Sequence, residues 1–174
     1  MTFFDIFSRK KTPEEKKIIV VDNREKNSLV VSELVRLGFK VQFEQLPVGD
    51  YIVNNAAIER KTISDFKSSI INKRIISQLL ELKQYPQHIL ILEGIESEDI
   101  YGGVIHENAF RGFMLAIALE FQTPVIYTLN ERDTAKYIAV LANKKGKKQE
   151  AIRASKILFT EEEQIQFILE GFPN

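Results

Sequence analysis

The chain has 174 residues, enough for one domain with a sizeable core, and 44% of them are apolar, an ordinary globular share. It carries no cysteine and two histidines, which excludes a disulfide framework, a thiolate zinc site and an imidazole-rich metal centre. Its 24 basic and 24 acidic residues cancel, so it lacks the basic surplus of a sequence-independent DNA binder, and no apolar run approaches the ~20 residues of a membrane helix.

Residues 1–17 are charged, with a short aromatic cluster Phe3-Phe4-Asp5-Ile6-Phe7, and read as an N-terminal arm. The apolar run Ile18-Ile19-Val20-Val21 predicts a buried strand that ends at Asp22. A helix over 29–37 follows, with Ser28 placed to cap it and Gly38 to stop it. Residues 39–45 alternate as a strand, and a hairpin over 50–61 comes next. The stripe Ile75, Ile76, Leu79, Leu80, Leu82 predicts an amphipathic helix over 75–84. A buried strand over 88–93, a helix over 107–121, a strand over 124–129 and a helix over 134–141 complete an α/β order. Charge is segregated: Lys144, Lys145, Lys147 and Lys148, with Arg153 and Lys156, form a basic block, and 96–99 and 161–163 are acidic.

The hairpin carries the chemistry. Two β-rich runs, 50–53 and 56–61, flank Asn54-Asn55, a pair that tolerates positive φ and suits a two-residue primed turn. Val53 then lies opposite Ala56, and counting back sets Asp50 opposite Glu59. Like charges so close destabilise a sheet unless a cation lies between them. Lys61, two residues beyond Glu59, shares its face. Two carboxylates and an ammonium suit a divalent cation that activates water against a phosphodiester. With oxygen the remaining ligand chemistry, the cation is Mg2+, with Mn2+ able to substitute. Asp22, at a strand end, is placed to be a third carboxylate or else a helix cap, a role that Ser28 fills better. Arg60 points to the opposite face, and Asp65 lies near a helix start; each reads as support for the site or as a surface charge. Asn72-Lys73-Arg74 opens the 75–84 helix and suits a phosphate, or is a solvated first turn.

These blocks together resemble one family. Asp22-x-Arg24-Glu25, Leu46-Pro47-Val48-Gly49-Asp50-Tyr51-Ile52, Glu59-Arg60-Lys61-Thr62 with Asp65-Phe66, Ser69-Ile70-Ile71, and Arg74 with Gln78 are similar to the nuclease domain of the XPF family of structure-specific DNA endonucleases, in the style of archaeal XPF and Hef. The likeness runs from about Ile18 to Leu141. It implies a restriction-endonuclease-like core, a central mixed sheet flanked by helices. It also implies metal binding at Asp22, Asp50 and Glu59, and a role for Lys61 with the attacking water. By the same resemblance, Arg24, Glu25, Arg60 and Asp65 are needed for cleavage or for ordering the site. Contacts to DNA fall to Lys61, Lys73, Arg74 and Gln78. Many members have Asp-Gly-Arg where this chain has Asn72-Lys73-Arg74, so the start of that helix is expected to differ.

The expected activity is metal-dependent cleavage of DNA near flaps and forks in repair or recombination. The alternatives are a catalytically silent scaffold or DNA-binding subunit, and a junction-resolving nuclease on the same core. The expected division is an arm over 1–17, the nuclease domain over 18–158, and over 159–174 the start of a truncated or absent helix-hairpin-helix module. The helix over 107–121 is apolar almost all round, so Phe110, Phe113, Met114, Ile117 and Phe121 are expected at a homodimer interface, unless the helix simply covers the sheet. Branched DNA and a sliding-clamp type protein are further expected partners, with no membrane contact. The expected location is intracellular: cytoplasm or nucleoid in an archaeon, nucleus in a eukaryote.

Overall fold

The computed structural model describes residues 17–94 and 105–144. The elements run β1 (Ile18–Asp22), a 3-10 turn (Asn23–Glu25), α1 (Leu29–Arg36), β2 (Lys40–Glu44), β3 (Tyr51–Val53), β4 (Ala56–Thr62), α2 (Ile63–Ile71), α3 (Arg74–Leu82), β5 (Gln87–Glu93), α4 (Glu107–Leu119), β6 (Val125–Thr128) and α5 (Glu131–Asn143). Every element expected from the sequence over these residues is present, with ends shifted by at most three residues. The first helix starts where Ser28 Oγ accepts from Val30 N–H, and it stops at Gly38, whose φ is 91°. The arm apart from Lys17, most of the basic block, and the segment 159–174 lie outside the described residues.

The six strands form one mixed sheet in the order β2-β1-β3-β4-β5-β6. Strands β1 and β2 are parallel, the β1–β3 and β3–β4 pairs are antiparallel, and β4, β5 and β6 are parallel again. Alternation along the strands divides the core into two layers. Ile19, Val21, Ile58 and Ile91 face α1 and α5, meeting Leu34 and Ile138. Leu90 and Leu92 face α2, α3 and α4, meeting Phe66, Leu79 and Ile117. The sheet is therefore covered on both faces, and β4, at its centre, is buried on both. That is why its charged residues Glu59, Arg60 and Lys61 each need a partner.

The structure corrects the interface expected on α4. Phe110, Phe113, Ile117 and Phe121 are buried in the chain's own core, with Met114 packed against it. Phe66 meets the rings of Phe110 and Phe113 at 5.9 and 6.0 Å between centroids. The helix reads as apolar all round, yet one stripe is consumed internally, while Leu115 and Leu119 stay exposed.

Candidate active site

The site is built by the β3–β4 hairpin. Asn54 and Asn55 have φ of 49° and 65°, the two positive values of a primed two-residue turn, and the register is Val53 to Ala56 and Tyr51 to Ile58. Asp50 lies one step beyond this ladder, where the expected pairing with Glu59 gives way to a closer lacing. Its N–H donates to Ile58 O at 2.8 Å, and its own carbonyl accepts from Asp22 N–H at 2.8 Å. Its carboxylate Oδ2 accepts from Arg60 N–H at 2.9 Å. Gly49 makes this possible. Its φ is 74°, and a Cβ there would stand 3.1 Å from Ile58 O.

Glu59 and Lys61 share the α3 face of β4, both buried, with Lys61 Nζ 3.3 Å from Glu59 Oε1. Gln78, from α3, donates its Nε2 to the same Oε1 at 2.6 Å. Burial, then the Glu59 carboxylate, push the Asp50 carboxyl up to about 8. Burial also raises Glu59, against the opposing pull of Lys61 and Arg24. Two carboxyls thus resist ionising together, the condition that a bound cation relieves.

Asp22 behaves otherwise. Burial would raise its carboxyl, but hydrogen bonds outweigh it and hold it below the usual range. Oδ1 accepts from Arg24 N–H at 2.8 Å and from Arg24 Nε at 2.6 Å, and Oδ2 accepts from Leu46 N–H at 2.8 Å. Asp22 caps the 3-10 turn, not the following helix. Both its oxygens are engaged, and among the described residues no three acidic or histidine side chains gather closely enough to hold a metal. The three-carboxylate set Asp22, Asp50, Glu59 is therefore not assembled. The donor chemistry around the Asp50–Glu59 pair still fits a hard cation. Gln78 Oε1 is a buried acceptor without a hydrogen-bond partner beside Glu59. Oxygen donors and unrelieved negative charge meet there.

The residues singled out in the sequence converge on one surface. A cleft of about 280 Å³ is lined by Arg24, Glu25, Asp50, Glu59, Arg60, Lys61, Asp65, Arg74 and Gln78, among others. A larger groove of about 740 Å³, lined by Asp22, Arg24, Gln45, Leu46, Glu59, Arg74 and Gln78 among others, shares residues with it. Thr62 Oγ1 caps α2 by accepting from Asp65 N–H at 3.2 Å, which leaves the Asp65 carboxylate exposed at the cleft. Lys73 immediately precedes α3 in the left-handed region, φ 61°, with no side-chain cap. That is the position where glycine occurs in the XPF-like pattern, and the lysine adopts there a conformation that glycine takes without strain. Lys73 and Arg74 are exposed beside the cleft.

One participant is absent from the sequence reading. Glu93, buried at the end of β5, takes the Arg60 side chain on the α5 face: Arg60 Nε donates to Oε2 at 3.0 Å, and Nη2 pairs with Oε1. Arg60 Nη1 reaches Glu25 Oε2 at 3.4 Å, and that oxygen also accepts from Tyr51 Oη at 3.0 Å. Burial would depress the Arg60 guanidinium, but the bond and charge of Glu93 raise it instead. The signal for Glu93 was a carboxylate ending an otherwise apolar strand, His88-Ile89-Leu90-Ile91-Leu92-Glu93.

Among the described residues no helix is long and apolar enough to cross a membrane. The chain is 37% identical over 168 residues to a Methanocaldococcus jannaschii protein that carries the name of an ATP-dependent RNA helicase; the match covers 94% of this chain and 21% of that one. It is 32% identical to the 3'-flap repair endonuclease Xpf of Saccharolobus solfataricus, over 90% of this chain and 70% of that one. The solved structure of XPF from Aeropyrum pernix in complex with DNA superposes with a TM-score of 0.67 at 34% identity, over 73% of this chain and 64% of that one. The chain thus spans about a fifth of the first relative and about two thirds of the other two. The ERCC4 domain model matches residues 21–141, and with the shared sheet this establishes that the chain belongs to the ERCC4-domain, XPF-type nuclease family.

Proposed function

We propose that this chain is a catalytic domain of a structure-specific DNA endonuclease, acting on branched DNA such as flaps in repair or recombination. The observation that carries this reading is the pair of half-buried Asp50 and buried Glu59 with Lys61 beside it, opening on a cleft shared with Arg24 and Arg74. The names of the Saccharolobus and Aeropyrum relatives supply the substrate class, a flap in one and DNA in the other.

Asp50 and Glu59 would hold a divalent cation, Mg2+ with Mn2+ as substitute, and the carbonyl of Gln78 is the neutral oxygen beside them. Such a cation, when bound, polarises the phosphate and lowers the pKa of water. The chain's own part is to orient and charge the site. The Arg60 N–H and the Gly49 turn fix the Asp50 carboxylate, and Gln78 and Lys61 fix Glu59. Lys61 would orient the attacking water. The water oxygen bonds to phosphorus as the ester P–O bond breaks, its proton passes to solvent, and the departing ester oxygen takes a proton from solvent. Arg24, Lys73 and Arg74 would neutralise the phosphates flanking the scissile one. Asp22 ties the turn that bears Arg24 to the loop that bears Leu46.

The working form is proposed to be a homodimer. Exposed apolar side chains support this, namely Leu115 and Leu119 of α4, Tyr127 of the edge strand β6, and Tyr137 and Val140 of α5. A helix-hairpin-helix module and a clamp-type partner belong to the proposal as the wider recognition apparatus, and a DNA substrate implies an intracellular site of action. The test is cleavage of end-labelled flap, fork, four-way junction and linear duplex with Mg2+, Mn2+ or EDTA. Metal-dependent cutting next to the branch of flap and fork is expected. Preferential cutting of the four-way junction would replace this reading by a resolvase, and no cutting of any substrate would replace it by a silent subunit.

A further inference from the structure

Glu93 is a buried charge outside the lining of the cleft. Its Oε2 accepts from Thr134 Oγ1 at 2.6 Å, and the Thr134 and Thr128 hydroxyls meet at 2.7 Å. All three groups are almost fully buried, Glu93 at 4% exposure, Thr134 at 0% and Thr128 at 2%. A polar chain therefore runs from α5 and β6 through Glu93 into Arg60 on the central strand. Arg60 continues it through its backbone, whose N–H holds the Asp50 carboxylate at 2.9 Å.

The Arg60 guanidinium has all three nitrogens directed at carboxylates, Nε and Nη2 at Glu93 and Nη1 at Glu25. Two negative charges face one positive charge, so this arginine is not a phosphate-binding cation. A planar fork gripped on two sides has one orientation. Stability alone does not account for the arrangement, because an apolar pair of similar volume is often as stable as a buried ion pair. Metal-site ligands characteristically depend on such buried partners for orientation.

We propose that Glu93, held by Thr134, is a positioning residue for cleavage: it locks Arg60, and Arg60 holds Asp50 at its catalytic position. This rests on the endonuclease reading above and adds to it a control point under α5, outside the cleft lining and one side chain behind it. The consequence is a loss of turnover without a loss of DNA affinity.

The experiment compares the full chain with Glu93→Gln, Thr134→Val, Arg60→Gln and the Glu93→Gln/Arg60→Gln double variant. Single-turnover cleavage of a labelled flap is measured with Mn2+, DNA affinity with Ca2+ in its place, and the Arg60 Nε–H resonance by 15N NMR. Glu93→Gln should slow cleavage by about 10- to 100-fold with unchanged DNA affinity, and should expose the Arg60 Nε–H to solvent exchange. Thr134→Val, which keeps the shape of the side chain, should slow cleavage in the same direction by a smaller factor, and it carries the test if Glu93→Gln fails to fold. In the Arg60→Gln background, Glu93→Gln should add nothing. The inference is overturned if either folded variant cuts at the wild-type rate, if the two losses multiply in the double variant, or if the loss lies in DNA affinity. A wild-type chain that cuts no DNA with either metal would instead overturn the endonuclease reading itself.

Discussion

Replacing Asp50 by Asn should stabilise the metal-free chain, and increasingly so as the pH rises. The Asp50 carboxyl is pushed from 3.8 to about 8 by burial and by the Glu59 carboxylate. The folded chain therefore keeps a proton that the unfolded chain has released. The stability this group contributes is complete below its unfolded pKa and is lost as pH rises through the folded value. In that window one proton changes stability by about 1.4 kcal/mol per pH unit. From pH 5 to pH 7 the wild type should thus lose about 2–3 kcal/mol relative to Asp50→Asn. For a chain of this size the melting temperature gap should widen by about 4–12 °C. Asp22, held low, acts with the opposite sign, and its contribution fades only in acid, outside this interval. The assay is circular dichroism melting of both proteins in EDTA at several pH values. Parallel profiles would refute the competition of the Asp50 and Glu59 carboxyls for charge. Adding Mn2+ should reverse the order at neutral pH, because an ion that binds only the folded wild type stabilises it by mass action.

Lys73→Gly should stabilise the fold by about 0.5–1.5 kcal/mol, because Lys73 is held at φ 61° where glycine carries no penalty; the same variant should bind DNA more weakly, and urea unfolding and a binding titration check the two signs. Asn54→Gly should cost about 1 kcal/mol and Asn54→Ala more, because the Asn54 amide donates to the carbonyls of Leu141, Ala142 and Lys144 at the end of α5, and alanine also resists the positive φ. Sedimentation at micromolar concentration should find a dimer that Leu119→Glu weakens; a wild-type monomer would refute the proposed interface. With no net charge, the chain should bind a flap with a shallow salt dependence, about two to four phosphates at a slope near −0.9 each; a much steeper slope would shift recognition to the basic block around residues 144–148.

The hairpin was legible because its turn is local: Asn54-Asn55 sets the register, and the register sets which side chains share a face. The same reasoning overreached at Asp50, where the close approach of Gly49 to Ile58 replaces regular pairing with a backbone-to-carboxylate bond. Asp22 was read as a ligand or a cap; the strand end was visible, but not that Leu46 N–H, 24 residues away, would occupy its second oxygen. Glu93 escaped because its partner Arg60 lies 33 residues earlier and the two meet only once β4 and β5 pair in parallel. The α4 helix misled because composition gives apolarity but not direction: its aromatic stripe faces α2 and α3, and Leu115 and Leu119 are what remain outside.

The Asp50–Glu59 pair is proposed to hold a divalent cation and, with it, to cut DNA. The most direct measurement is single-turnover cleavage of an end-labelled flap by wild type and Asp50→Asn, with Mn2+ and with EDTA, alongside Mn2+ binding followed by electron paramagnetic resonance. Wild type should cut beside the branch with Mn2+ alone, and a folded Asp50→Asn chain should neither cut nor retain the ion. Cleavage by Asp50→Asn at the wild-type rate, or cleavage that EDTA leaves untouched, would contradict the proposal.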